Sequence, residues 1–179
     1  LYPDLRGKTA VVTGSSSGIG EAIARHMGSE AMNVVINYIN ADEKVIDGLI
    51  YLIEQSGGRA VGIRADVGTE AGVQAIDDKA IEAFGDIDVW VNNAGFEIQS
   101  ETHETSYEDW QRVLHVDLDG VFLGTKIAVQ HFLKHNKKGN ILNTSSIHDI
   151  IPWPTYASYA TAKAGVLMFT KTTALEYAE

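Results

Sequence analysis

Tyr159 and Lys163 stand four residues apart in Tyr159-Ala160-Thr161-Ala162-Lys163. Four residues is about one helical turn, so a helix would point both side chains off one face. A phenol alone titrates near ~10. A cation held against it stabilises the phenolate and turns it toward base chemistry. Lowering the phenol by ~2–3 units takes roughly 3–4 kcal/mol. Ser146 lies thirteen residues before Tyr159, at the end of an apolar run, and can bring a hydroxyl over the same crevice. Ser145 is the competing choice.

A second group of residues is suited to phosphate. Thr13-Gly14-Ser15-Ser16-Ser17-Gly18-Ile19-Gly20 follows the apolar run Thr9–Thr13 and opens a helical pattern. Glycines let backbone approach a pyrophosphate, and free amides with the helix dipole favour its charge. The spacing is Gly-x3-Gly-x-Gly. Tyr38-Ile39-Asn40, where a ribose would be read, holds neither an acid nor an Arg. NAD and NADP therefore both remain open. Asp66 and Asn93-Ala94-Gly95 end two further runs. Asp66 suits an adenine amino group. Asn93 suits bridging neighbouring strands, and Gly95 suits leaving room for a ribose.

The elements that must position these residues alternate. Strands are expected at 9–13, 33–38, 60–65, 88–92 and 140–143. Helices are expected at 18–28, 42–55 and 70–84, from Ser106 to about 135, and from about 157 onward. Short apolar strands alternating with helices predict an α/β fold, a doubly wound and mostly parallel sheet of Rossmann type. No repeat or low-complexity linker divides the chain, so 1–179 reads as one domain. The final helix, with Ala160, Ala162, Ala164, Val166, Leu167, Met168 and Phe169, leaves little polar face. One side can cover the sheet, and the other can meet a second subunit.

Composition adds bounds. The 179 residues include no Cys, which removes disulfides, thiolate metal sites and thiol catalysis. A net charge of −10 argues against a nucleic-acid or acidic-membrane surface. No apolar run approaches ~20 residues, so no membrane span is expected. The first residues lack the apolar core of a signal peptide, and the expected location is the cytoplasm.

Taken in order, Thr13-Gly14-x3-Gly18-Ile19-Gly20, Asp66-Val67, Asn92-Asn93-Ala94-Gly95, Ser146 and Tyr159-x3-Lys163 resemble the short-chain dehydrogenases/reductases along essentially the whole chain. Within that family, Ser145-Ser146-Ile147-His148, Ile151-Pro152-Trp153-Pro154 and Ala174-Leu175-Glu176-Tyr177-Ala178 are similar to bacterial glucose 1-dehydrogenases. The resemblance implies hydride transfer between NAD or NADP and an alcohol or carbonyl, most simply glucose to gluconolactone. A keto reductase, including one of 3-oxoacyl thioesters, and a non-catalytic cofactor-binding fragment are the alternatives.

By the same resemblance Tyr159 is the general base, Lys163 binds the nicotinamide ribose, and Ser146 holds the substrate oxygen. Gly14, Ser16, Gly18, Ile19, Gly20, Tyr38, Asp66, Val67, Asn93, Ala94 and Gly95, with Tyr159 and Lys163, contact the cofactor. His148 and Glu97 join Ser146 at the substrate. No metal is implied, and a homotetramer is. Two departures stand out. Asp117 occupies the place of an Asn that supports a helix irregularity and a proton-relay water, and it lacks amide donors. The chain also stops at Glu179, where family members continue with further strands and a substrate-covering segment, so a fragment is expected.

Overall fold

The computed structural model describes residues 2–178. Five strands, β1 (Thr9–Val12), β2 (Asn33–Tyr38), β3 (Arg59–Arg64), β4 (Val89–Asn92) and β5 (Asn140–Asn143), form one sheet in the order β3-β2-β1-β4-β5. Every pairing is parallel. Helices α1 (Gly18–Ser29), α2 (Glu43–Gln55), α3 (Glu70–Phe84), α4 (Tyr107–Leu114), α5 (Gly120–Lys134) and α6 (Ala157–Glu176) complete the chain. The doubly wound expectation holds, with element ends within a residue or two for most elements.

Strand alternation divides the core into two layers. Ala10, Val12, Val34, Ile36, Val89 and Val91 face Ala24 of α1 and Ile46, Leu49 and Ile53 of α2. Val11, Val35 and Trp90 face the opposite way, onto Val73, Ile76 and Ala80 of α3 and Ala128 and Phe132 of α5. Burying a Val or Ile side chain contributes about 1.5–3 kcal/mol, so both layers anchor the sheet firmly.

Local signals explain the helix starts. Asp42 caps α2 by accepting from the Lys44 N–H at 2.9 Å. Thr69 caps α3 through the Gly72 N–H at 3.0 Å. Ser106 caps α4 through the Asp109 N–H at 3.0 Å.

Two expectations need correction. The helix from Ser106 to 135 is not continuous: His115–Asp119 form a π-helical turn between α4 and α5. One extra residue is accommodated there, which swings Asp117 inward to complete burial. The last helix packs mainly on α4, the π turn and the short turn Ile147–Asp149, with Asn143 Nδ2 donating to Thr170 Oγ1 at 2.9 Å as a link to β5. Its far side leaves Met168 and Leu175 exposed. Among the described residues, no helix is long and apolar enough to cross a membrane.

Candidate active site

A parallel sheet brings the carboxyl ends of its strands to one edge. Strand order reverses between β1 and β4, and the loops leaving those two strands part to open a crevice. A groove of about 1090 Å³ lies there. It is lined by Gly14 and Gly20 after β1, Tyr38 and Asn40 after β2, Asp66 after β3 and Glu97 after β4. Such a volume suits an extended ligand.

The glycine turn is shaped from within. A Cβ on Gly14 would lie 2.7 Å from Ala94 Cα, and one on Gly20 would lie 2.4 Å from the Gly14 carbonyl oxygen. Those two glycines permit backbone packing. Gly14 and Gly18 both take positive φ, +61° and +59°, but a Cβ on Gly18 would meet nothing within 4 Å. Ser17 gives α1 no side-chain cap, so the first-turn N–H groups of α1 have no capping acceptor. Ile19 stands 67% exposed at the lip. An uncapped helix N-terminus beside open space fits a pyrophosphate, and hence a dinucleotide.

Two side chains not singled out for a role from sequence hold this turn. Asn37 Oδ1 accepts from the Gly14 N–H at 3.2 Å, while its Nδ2 donates to the Ala65 carbonyl at 2.9 Å. Thr13 Oγ1 accepts from the Asn93 and Ala94 N–H groups at 2.9 and 3.0 Å. A polar residue directly after the apolar run Val34–Ile36, still within β2, is the available signal for Asn37. Asn93 does bridge strands, donating from Nδ2 to the Thr13 carbonyl at 3.0 Å. Asp66 lines the groove and accepts from the Gly68 N–H at 2.9 Å, which shapes the turn after β3. Ser16 and the buried Val67 also line it.

Gly95 has a second neighbour that the sequence did not show. Its missing Cβ faces Asp117, whose Oδ2 would lie 2.6 Å away. Gly95 lines the groove and also gives space to a carboxylate.

Tyr159 and Lys163 both line the groove from α6. Lys163 is only 4% exposed, and its Nζ lies 5.5 Å from the Tyr159 ring centroid. Nζ donates to the Thr144 carbonyl at 3.1 Å. It also lies 3.1 Å from Asp117 Oδ2, an ion-pair contact outside hydrogen-bond geometry. Asp117 Oδ1 accepts from the Phe96 N–H at 2.9 Å. Burial pushes the Asp117 carboxyl above its ordinary value, opposed by the Lys163 ammonium and the Phe96 N–H and reinforced by Glu97.

Ser146 caps the turn Ile147–Asp149, its Oγ accepting from the His148 N–H at 3.2 Å. A hydroxyl engaged as acceptor keeps its own proton to donate. The His148 ring lies edge-on to Tyr159, centroids 6.4 Å apart, which brings this turn beside the phenol. Ser145, the competing hydroxyl, lines the groove but donates to Asp149 Oδ2 at 2.7 Å. Glu97 reaches the groove, whereas His148 packs between Trp153 and Tyr156.

Residues 8–179 match the short chain dehydrogenase family. Glucose 1-dehydrogenase 2 of Bacillus subtilis is 52% identical over 180 residues, covering 100% of this chain and 69% of that protein. The 3beta-hydroxysteroid dehydrogenase 1 of Eggerthella lenta is 52% identical over 179 residues, covering 100% and 68%. The 3-oxoacyl-[acyl-carrier-protein] reductase of a Synechocystis species is 38% identical over 174 residues, covering 97% and 70%. A crystal structure of a short chain dehydrogenase/reductase from Burkholderia phymatum, in complex with NAD, superposes with a TM-score of 0.91 at 32% identity. That superposition covers 98% of this chain and 62% of the other. The chain thus spans about two thirds of the length of the proteins it matches.

Proposed function

Because this chain belongs to the short-chain dehydrogenase/reductase family, we propose that it is an NAD(P)-dependent oxidoreductase that oxidises an alcohol, with glucose to gluconolactone as the leading reaction. One observation carries the reading. The phenol of Tyr159 and the ammonium of Lys163 line the same groove as an open, uncapped glycine turn. The family and its NAD-complexed structural relative support binding of NAD or NADP in that groove.

When bound, the nicotinamide supplies the acceptor for a hydride from the alcohol carbon. The rest falls to the chain. Tyr159 takes the hydroxyl proton as general base, and gives it back in carbonyl reduction. Lys163 places positive charge beside that phenol and offers a donor to a ribose. Ser146 donates its free proton to the substrate oxygen. Gly18, Ile19 and the first turn of α1 hold the pyrophosphate, while Tyr38, Asp66 and Val67 flank the adenosine end. Glu97 and His148 are proposed to meet the substrate's further hydroxyls.

A second substrate class has its own support. Ile147, Ile150, Ile151 and Trp153 are exposed beside the Ser146 turn, and they suit an apolar ring system such as the steroid named in one equally similar relative. Incubation with NAD or NADP and, separately, glucose or a 3β-hydroxysteroid tests both readings by the appearance of reduced nicotinamide. Glucose-dependent reduction is the expected result. Reduction with the steroid alone selects the second reading. Cofactor binding without turnover on either leaves the protein a binding module. The exposed apolar side of α6 is proposed to serve a homotetramer, checked by light scattering.

A further inference from the structure

The contact between the π turn and α6 is specific to an acidic residue at position 117. Asp117 is completely buried, and its Oδ2 stands 3.1 Å from Lys163 Nζ. Gly95 makes room for that oxygen, since any Cβ there would collide with it. The other oxygen is held by the Phe96 N–H. The carboxylate is therefore fixed in place and directed at the ammonium that lies against the Tyr159 ring.

Resting on the oxidoreductase reading, we infer that Asp117 is a positioning residue that pairs with Lys163, cancels part of its positive charge beside Tyr159, and so shifts base catalysis to higher pH. An ammonium stabilises a nearby phenolate by its net field. A carboxylate paired with the same ammonium opposes that field. In a dry site the opposition is little screened. The charged groups acting on Asp117 are Lys163 from α6, which also lies against the Tyr159 ring, and Glu97 from the loop after β4. His115 and Asp119, on its own π turn, pair loosely with each other at 3.9 Å. Among the described residues, Lys163 is the cation paired with the carboxylate, so the balance turns on this pair. Burial raises the Asp117 carboxyl, which adds a second titration to the same cluster.

Asp117→Asn keeps the shape and removes the charge. The acid limb of the pH–rate profile for alcohol oxidation is expected to move down by about one pH unit, giving about tenfold more turnover on that limb. Asp117→Ser, which retains an acceptor with no charge, should move it the same way and serves if the Asn variant folds poorly. A readout free of cofactor accompanies this. Near-ultraviolet phenolate titration of each protein, less that of the same protein carrying Tyr159→Phe, isolates one phenol. That curve should move down by about one unit when the carboxylate is removed. A limb and a phenolate curve that stay in place, or that move up, overturn the inference. Absence of turnover in the unmodified protein would overturn the oxidoreductase reading instead, and the phenolate titration would still decide the role of Asp117.

Discussion

Asp117 Oδ2 and Lys163 Nζ meet at 3.1 Å with side-chain exposures of 0% and 5%. The pair joins three parts of the molecule: the π turn, the loop after β4 through the Phe96 N–H, and α6. Desolvating two charges is costly, and their attraction in a dry site offsets it only while both partners stay. The pair therefore acts as a positional lock on Lys163.

Removing the lysine should have two separable effects. In Lys163→Ala the phenol loses its cation, so activity falls more at neutral pH than at high pH. Asp117 loses its counter-charge and is left ionised in a dry site, at a cost of roughly 3–5 kcal/mol when charged. A carboxyl raised above its unfolded value weakens folding as pH rises from the ordinary value through the raised one. Thermal unfolding of the variant should therefore deteriorate more than that of the parent protein as pH rises above the ordinary carboxylate range. Equal losses of activity at both pH values would contradict the role given to Lys163.

The two kinds of glycine in the turn predict different failures. Gly18→Ala places a side chain at positive φ in open space, between the groove-lining Ser17 and Ile19. Its folding cost should be about 1–2 kcal/mol, while the dissociation constant for NAD or NADP rises tenfold or more. Gly14→Ala drives a Cβ against the Ala94 backbone at 2.7 Å. That variant should lose stability first, which paired melting and cofactor-fluorescence titrations will separate.

Gly95→Ala tests the space reserved for the carboxylate. Its Cβ would stand 2.6 Å from Asp117 Oδ2, so overpacking of about 1–3 kcal/mol is expected. Denaturant titration of the double variant with Asp117→Ser should recover much of that loss, because the two sites share one contact. Simple additivity would show that the strain lies elsewhere.

Much of this architecture was legible because strand and helix periods are local. Thr9–Val12 and Asn33–Tyr38 are short apolar runs, and Tyr159 and Lys163 are one turn apart on any helix. What escaped depends on distant backbone. The π turn at His115–Asp119 carries no compositional mark, since one extra residue in a helix leaves its apolar pattern nearly intact. The Asp117–Lys163 pair joins positions far apart in the chain, and the direction of the absent Gly95 Cβ exists only once the loop is folded. The role of Asn37 likewise depends on the folded turn, since its partners Gly14 and Ala65 are distant in the chain.

A surface network at the other end of the sheet predicts acid behaviour. Burial would raise the Asp86 carboxyl, but hydrogen bonds from Lys137, His131 and the Ile87 N–H outweigh it and hold it at about 2. A depressed carboxyl adds stability above its unfolded value and loses it as pH falls through the folded one. Asp86→Asn should therefore be less stable than the parent above pH 4, with the difference vanishing as pH approaches 2. The side chain is 48% exposed, so solvent screening keeps the effect below about 1 kcal/mol. Chemical denaturation at several pH values checks it.

The central claim is that the Tyr159 phenol transfers a proton while a nicotinamide in the same groove receives hydride. Its most direct test follows reduced-nicotinamide formation from glucose with NAD or NADP, in the parent protein and in Tyr159→Phe. Turnover in the parent, lowered 10²–10⁴-fold by the loss of one hydroxyl with cofactor affinity unchanged, is the predicted result. Undiminished turnover in Tyr159→Phe would contradict it.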